Sequence, residues 1–158
     1  PLYSSAASDV YKRQGRRGDD GVVAIQTYTP SHPLFGFLVS HDYVGFYNHE
    51  IEERRLYNYP PFTRIINIYL KHREQGRLHV LAGAYGRRLR ELFGNRVFGP
   101  EEPHVARIKQ MHIMRIMIKI ETEASMKKVK HILRETYLEM DAARALNGAQ
   151  VYYDVDPM

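Results

Sequence analysis

Two stretches of strict alternation, each tied to an amphipathic segment, constrain this chain more than any other feature. From Thr63 to Lys71, Ile66, Ile68 and Leu70 fall on one side of an extended backbone, and Ile65, Asn67, Tyr69 and Lys71 on the other. From Ile113 to Glu121, Ile116, Ile118 and Ile120 point one way and Arg115, Met117, Lys119 and Glu121 the other. A period of two with one apolar side describes strands covered on a single face. Between Glu74 and Phe93, Leu78, Leu81, Ala82, Tyr85, Leu89, Leu92 and Phe93 recur at helical spacing, with Arg77, Arg87, Arg88 and Arg90 opposite. Gly94 supplies a helix stop. Ser125 opens a second helix, with Met126, Val129, Leu133, Tyr137 and Met140 inside. Val151, Tyr153 and Val155 form the inner side of a last strand, and Val105 to Lys109 can form a short one between the first helix and Ile113. The order strand, helix, strand, strand, helix, strand predicts an α+β, ferredoxin-like βαββαβ domain over residues 59–158, a four-stranded antiparallel sheet with two helices on one face.

Upstream the pattern changes. Gly18-Asp19-Asp20-Gly21 is a turn signal leading into a β-rich run, Val22 to Tyr28, bounded by Pro30. Such a continuous apolar strand is buried on both faces, so residues 15–33 are expected to close a domain lying mostly upstream. Residues 34–58 read as a helical connector. Leu34 to Val39 is a short helix, and a second starts at His41 or Asp42 with Tyr43, Phe46, Tyr47, Ile51 and Arg54 at helical spacing. Asn58-Tyr59-Pro60-Pro61 stops it, because the residue before a proline is driven out of the helical region. Ser4 to Gln14 back-translates into the transposase adapter of sequencing libraries, and Pro1 to Tyr3 into adjoining index sequence. Residues 1–14 are therefore expected to be artefactual and the gene cut off upstream, and they are excluded from fold reasoning.

Composition limits the chemistry. The chain has no cysteine, which excludes disulfides and thiolate metal sites within it. No apolar run approaches the length of a membrane span, and a cytoplasmic location is expected. Charge is unevenly placed. Thr63 to His131 carries fifteen Lys and Arg against six Glu and no Asp, a net of +9, whereas the remainder nets −4. A basic block of that size is a footprint for a polyanion, or else an ordinary solvated surface.

Three places could use it. With helices on one side, the sheet's other face would expose Asn67, Tyr69, Lys71, Arg115, Met117, Lys119, Tyr152 and Asp154. Rings beside cations suit single strands, with bases stacking on the rings and cations meeting phosphates. The alternative is packing against a neighbouring domain. The run Arg107-Ile108-Lys109-Gln110-Met111-His112, leading to Arg115, could track a nucleic-acid backbone without reading sequence. Lys127-Lys128-Val129-Lys130-His131 sets cations at a helix start, where the dipole disfavours them, and this hints at an anionic partner. No metal site is expected. His41 and His49 lie eight apart on a helix without carboxylate support, Glu50, Glu52 and Glu53 beside Arg54 and Arg55 read as surface ion pairs, and Asp154 and Asp156 read as structural.

Five segments, in order, resemble one family, the bacterial primosomal replication-restart helicases. Gly15-Arg16 is similar to the end of their sixth motor motif, and Gly21 to Thr27 to the last strand of their second motor lobe. Tyr59-Pro60-Pro61-Phe62, closing the run Glu52-Glu53-Arg54-Arg55-Leu56-Tyr57-Asn58, resembles the hinge into their C-terminal domain. Gly99-Pro100-Glu101-Glu102-Pro103-His104-Val105-Ala106-Arg107-Ile108 is similar to their Gly-Pro-x-x-Pro-x-x-x-Arg stretch, and Asp154-Val155-Asp156-Pro157 to their terminal signature. The resemblance implies an ATP-dependent 3′→5′ DNA helicase that restarts stalled forks and reloads the replisome. It also implies that the C-terminal domain binds forked and single-stranded DNA, the acidic tail of the single-stranded-DNA-binding protein, and other primosome proteins. Carried over residue by residue, Arg16 would be the motor's arginine finger. Arg107, Lys109, His112, Arg115, Lys119, Tyr69, Lys71 and Tyr152 would contact DNA, and Lys127, Lys128 and Lys130 would hold the tail. Gln110 to Arg115 departs from relatives that carry aromatic residues there, which weakens stacking at that loop. ATP, Mg2+ and Zn2+ are implied for the parent protein, whose phosphate loop and zinc module would lie upstream. No cofactor is expected in the present chain, which should neither hydrolyse ATP nor unwind DNA.

Fold and charge alone would also allow a free-standing ferredoxin-like RNA-binding or ribosome-associated module. A small enzyme or ligand sensor on the same fold is a third possibility, but no convergent polar site is visible in the sequence.

Overall fold

The computed structural model describes residues Ala24 to Pro157. Arg16, the adapter-like segment and the start of the expected strand from Val22 to Tyr28 lie outside the described residues. The chain divides into two compact units, residues 1–46 and 47–158.

In the first unit, Ala24 to Tyr28 is exposed and forms no strand. The expected strand is not formed here: an apolar run becomes a strand only where another strand supplies its hydrogen bonds, and none does among the described residues, the expectation having placed its neighbours upstream. Helix α1 (Pro33–Val39) is capped by His32, whose Nδ1 accepts from the Leu34 N–H at 3.2 Å. Helix α2 (Tyr43–Leu56) begins in this unit and ends in the second. The Asp42 carboxylate starts it by accepting from the Gly45 N–H at 2.8 Å.

The second unit holds a sheet of β1 (Thr63–His72), β2 (Val97–Glu101), β3 (Arg107–Ile108), β4 (Met111–Glu121) and β5 (Gln150–Val155), with α3 (Gln75–Phe93) after β1 and α4 (Met126–Ala142) after β4. The spatial order is β2-β4-β1-β5 with every pairing antiparallel, and the two-residue β3 adds to β4. Without β3, this is the expected ferredoxin-like α+β arrangement. Ile66, Ile68, Leu70, Ile116, Ile118 and Ile120 are at most 2% exposed and meet Leu78, Ala82, Tyr85 and Leu89 of α3 and Val129, Leu133 and Met140 of α4 in one core. Burying each such isoleucine contributes about 1.5–3 kcal/mol relative to leaving it in water. The hydroxyls of Tyr85 and Tyr153 hydrogen-bond to each other inside this layer.

One strand is displaced from its expected position. The sheet's edge beside β4 is Val97–Glu101, not Val105–Lys109, of which only Arg107 and Ile108 are extended. Gly99-Pro100 argues against a strand on propensity, yet an edge strand tolerates proline because its N–H side faces no ladder. Gly99, at φ 89°, also lets β2 pass close to β4: a Cβ there would lie 2.8 Å from the Arg115 carbonyl oxygen. The β3–β4 hairpin turns through Lys109 and Gln110, both with positive φ, the backbone of a tight two-residue turn.

Candidate nucleic-acid interface

Register fixes what shares the face that the helices leave uncovered. Opposed residues in an antiparallel ladder sit on one side of the sheet. Glu101 of β2 faces Arg115 of β4, Arg115 faces Tyr69 of β1, and Tyr69 faces Tyr152 of β5. A single row across four strands thus places a charge pair beside an aromatic pair. The Tyr69 and Tyr152 rings stack with centroids 4.9 Å apart and planes 16° off parallel. From the row above, Lys71 brings its Nζ to 4.7 Å from the Tyr152 ring centroid. Arg115 donates from Nε to Glu101 Oε1 at 3.1 Å, and from Nη2 to the same oxygen. Glu101, the loop from Glu102 to Ala106, Ile108 and Ile113 line a groove of about 840 Å3 together with Tyr69, Arg115 and Tyr152.

The row below is buried only at its centre. Asn67, between Met117 and Asp154, is 4% exposed, and its Oδ1 has no partner. Beyond it, Lys119 donates to the Tyr57 carbonyl oxygen at 2.7 Å. Its Nζ lies 3.8 Å from the Tyr59 ring centroid and 5.2 Å from that of Phe98. Burial lowers the Lys119 pKa below the usual lysine value. The residues that leave α2 therefore lie over this part of the sheet, and Lys119 anchors them.

The proposed DNA contacts consequently separate. Tyr69, Lys71, Arg115 and Tyr152 come together on the open face. Lys119 shares the face, but its ammonium is engaged by Tyr57, Tyr59 and Phe98. Arg107 and His112 are opposed to each other, and His112 to His72, whose side chain belongs to the helix-covered face. Alternation puts both residues on that side, away from the tyrosines; the misplaced strand hid this parity in the sequence. Lys109 sits at the exposed tip of the hairpin. Lys127, Lys128 and Lys130 are exposed on the first two turns of α4 and form no hydrogen bond or salt bridge among the described residues. The field of Lys130 helps to hold the Asp156 carboxyl below the ordinary range, after the larger effect of the hydrogen bond from Arg64.

Sequence reading passed over three participants: Glu101 as the partner of Arg115, and Tyr59 and Phe98 as the aromatic cover on Lys119. The Glu101–Arg115 pair becomes visible only once Val97–Glu101 is recognised as a strand. On α2, His49, Glu50 and Glu53 each bring one ligand atom within 4.8 Å of the others, a grouping the eight-residue His41–His49 spacing does not suggest; Glu50 also lies 3.9 Å from Arg54. Among the described residues no helix is long and apolar enough to cross a membrane.

Residues 55–158 match the family model of the primosomal protein N C-terminal domain. The chain is 33% identical over 132 residues to the replication restart protein PriA of Bacillus subtilis, a match covering 82% of this chain and 16% of that protein. It is 32% identical over 143 residues to the replication restart protein of Thermotoga maritima, covering 85% and 19% respectively. With that of Treponema pallidum it shares 30% over 148 residues, covering 92% and 22%. The chain thus spans under a quarter of the length of these curated relatives.

Proposed function

The chain belongs to the primosomal protein N C-terminal domain family, and from that premise we propose that it binds single-stranded and forked DNA in replication restart. The observation that carries this reading is the stacked Tyr69–Tyr152 pair with Lys71 and Arg115, on the helix-free sheet face and within the matched residues. Bases stack on the rings at about 1–3 kcal/mol each, and Lys71 meets the backbone beside them. Lys109, at the hairpin tip, extends the cationic margin. Arg107 and His112 would serve only a strand that passes around the sheet edge. The family resemblance implies that the domain would act with an ATP-dependent helicase motor, to which Arg16, ATP, Mg2+ and Zn2+ would belong. The zinc-binding cysteines would lie elsewhere, since this chain has none.

The exposed Lys127, Lys128 and Lys130 are proposed to take an acidic peptide, the tail of the single-stranded-DNA-binding protein. The three ammonium groups lie within two turns of one helix and form no salt bridge among the described residues, although the field of Lys130 reaches Asp156.

Fluorescence anisotropy of the chain with labelled single-stranded and forked oligonucleotides tests the first reading. Affinity is expected to fall steeply between low and moderate salt, and Tyr152→Ala to weaken binding by about 1–3 kcal/mol. Salt-insensitive binding, or none at low salt, overturns it. Charge reversal at the three lysines should weaken an acidic peptide while leaving the melting temperature in place; unchanged peptide affinity removes that contact.

A further inference from the structure

Glu101 and Glu102 line the groove that holds the tyrosine pair. On a surface meant for phosphates they carry the wrong sign. Glu102 is occupied from its far side, where Gln75 Nε2 donates to it at 3.0 Å and His79 Nε2 lies 3.5 Å away. Glu101 is not turned away: it receives both Nε and Nη2 of Arg115 on one oxygen and remains half-exposed. The Arg115 guanidinium, opposite Tyr69 in the ladder, is therefore paired before any ligand arrives. Of the other cations on this face, Lys119 is held by Tyr57 and Tyr59, and Lys71 sits over Tyr152 at the rim.

We propose that Glu101 is a specificity determinant: it bars phosphate from the aromatic groove, so that the groove admits an unpaired nucleobase and rejects the backbone of a duplex. This rests on the DNA-binding reading above. A base is uncharged and stacks on an aromatic ring whatever its identity, so a neighbouring carboxylate costs it little. A phosphodiester entering the same space would meet Glu101 directly and find Arg115 already satisfied. Duplex DNA presents phosphates outward and keeps its bases stacked and paired, so the groove offers it repulsion only. A single strand can turn a base inward while its backbone runs outside, past Lys71. Specificity of this kind comes from a repulsive element set against the wrong partner, beside the attractive one for the right partner.

The test compares single-stranded and duplex oligonucleotides of equal length on the whole chain across a salt series. Glu101→Gln frees Arg115 for one phosphate. Duplex affinity should rise on the order of fivefold, with the slope of log affinity against log salt steeper by about 0.9. Single-strand affinity should move less, so the preference for single strands shrinks. Adding Arg115→Gln to Glu101→Gln should return duplex affinity to the parent value. Arg115→Gln alone, which leaves Glu101 unneutralised, should weaken duplex binding more than single-strand binding and stands independently of the first variant. Equal tightening of both polymers by Glu101→Gln, or no change in either, removes the role of Glu101 while the DNA-binding reading stands. Failure of the parent chain to bind either polymer overturns that reading, and this inference with it.

Discussion

The two faces of one sheet obey the same alternation and end in opposite conditions. On the helix-covered face, Ile66, Ile68, Ile116, Ile118 and Ile120 meet apolar partners on α3 and α4, and close packing satisfies everything they offer. On the other face, each polar side chain must find its own solution. Arg115 takes Glu101, Lys119 takes Tyr57 and Tyr59, Lys71 rests on Tyr152, and Asn67 leaves an oxygen unpaired. A closed apolar layer needs only volume and pattern, whereas an open polar face depends on individual pairings. The first therefore carries stability and the second is where binding chemistry can sit.

Truncation inside the covered face should break the comparison most severely. Ile118→Ala removes a fully buried side chain at the centre of the core, and a loss of about 2–5 kcal/mol in unfolding free energy is expected from denaturant titration. The fraction that remains folded should bind DNA as the parent does. A fall in affinity beyond the unfolded fraction would mean that the two faces are coupled. Asn67→Leu probes the opposite face with the opposite sign. It replaces a buried oxygen that has no partner with an apolar group of similar size, so a gain of about 1 kcal/mol is expected. Destabilisation would show that the Asn67 amide makes a bond, through water or otherwise, that the open face needs.

How much of this was legible in the sequence follows the same division. The inward residues of β1, β4, α3, α4 and β5 are readable because burial imposes a period, and a period survives without knowledge of neighbours. Val97–Glu101 was not readable as a strand: Gly99 and Pro100 carry the propensity of a turn, and only its place at the edge of β4 makes them acceptable. That single misplacement hid the Glu101–Arg115 pair and the side of the sheet on which Arg107 and His112 fall. The tyrosines and Lys71 were placed correctly, since they lie on strands whose period was already fixed. The fate of Lys119 depends on the path taken by Tyr57 and Tyr59, a tertiary event with no local pattern. The family resemblance named the domain but could not supply these pairings.

The smallest expected effect lies at the rim of the covered face, where Arg64 meets Asp156. Nη2 of Arg64 donates to Asp156 Oδ2 at 2.6 Å and Nε to the same oxygen at 3.1 Å, with both side chains about two-fifths exposed. That hydrogen bond, more than any other influence, holds the Asp156 carboxyl below the usual range. A carboxyl depressed in the folded state contributes stability that is present above its unfolded pKa and is lost as pH falls through the folded one. Asp156→Asn should therefore lower the melting temperature slightly at neutral pH, and the variant and parent curves should converge in acid. Exposure and salt keep the difference small, as for surface pairs generally. Should the gap between the curves persist undiminished at the acid end, the carboxylate charge would not be its source; the backbone cannot be the source either, since Asp156 donates its N–H to the Ile65 carbonyl oxygen at 2.8 Å from φ 52°, a conformation that asparagine shares.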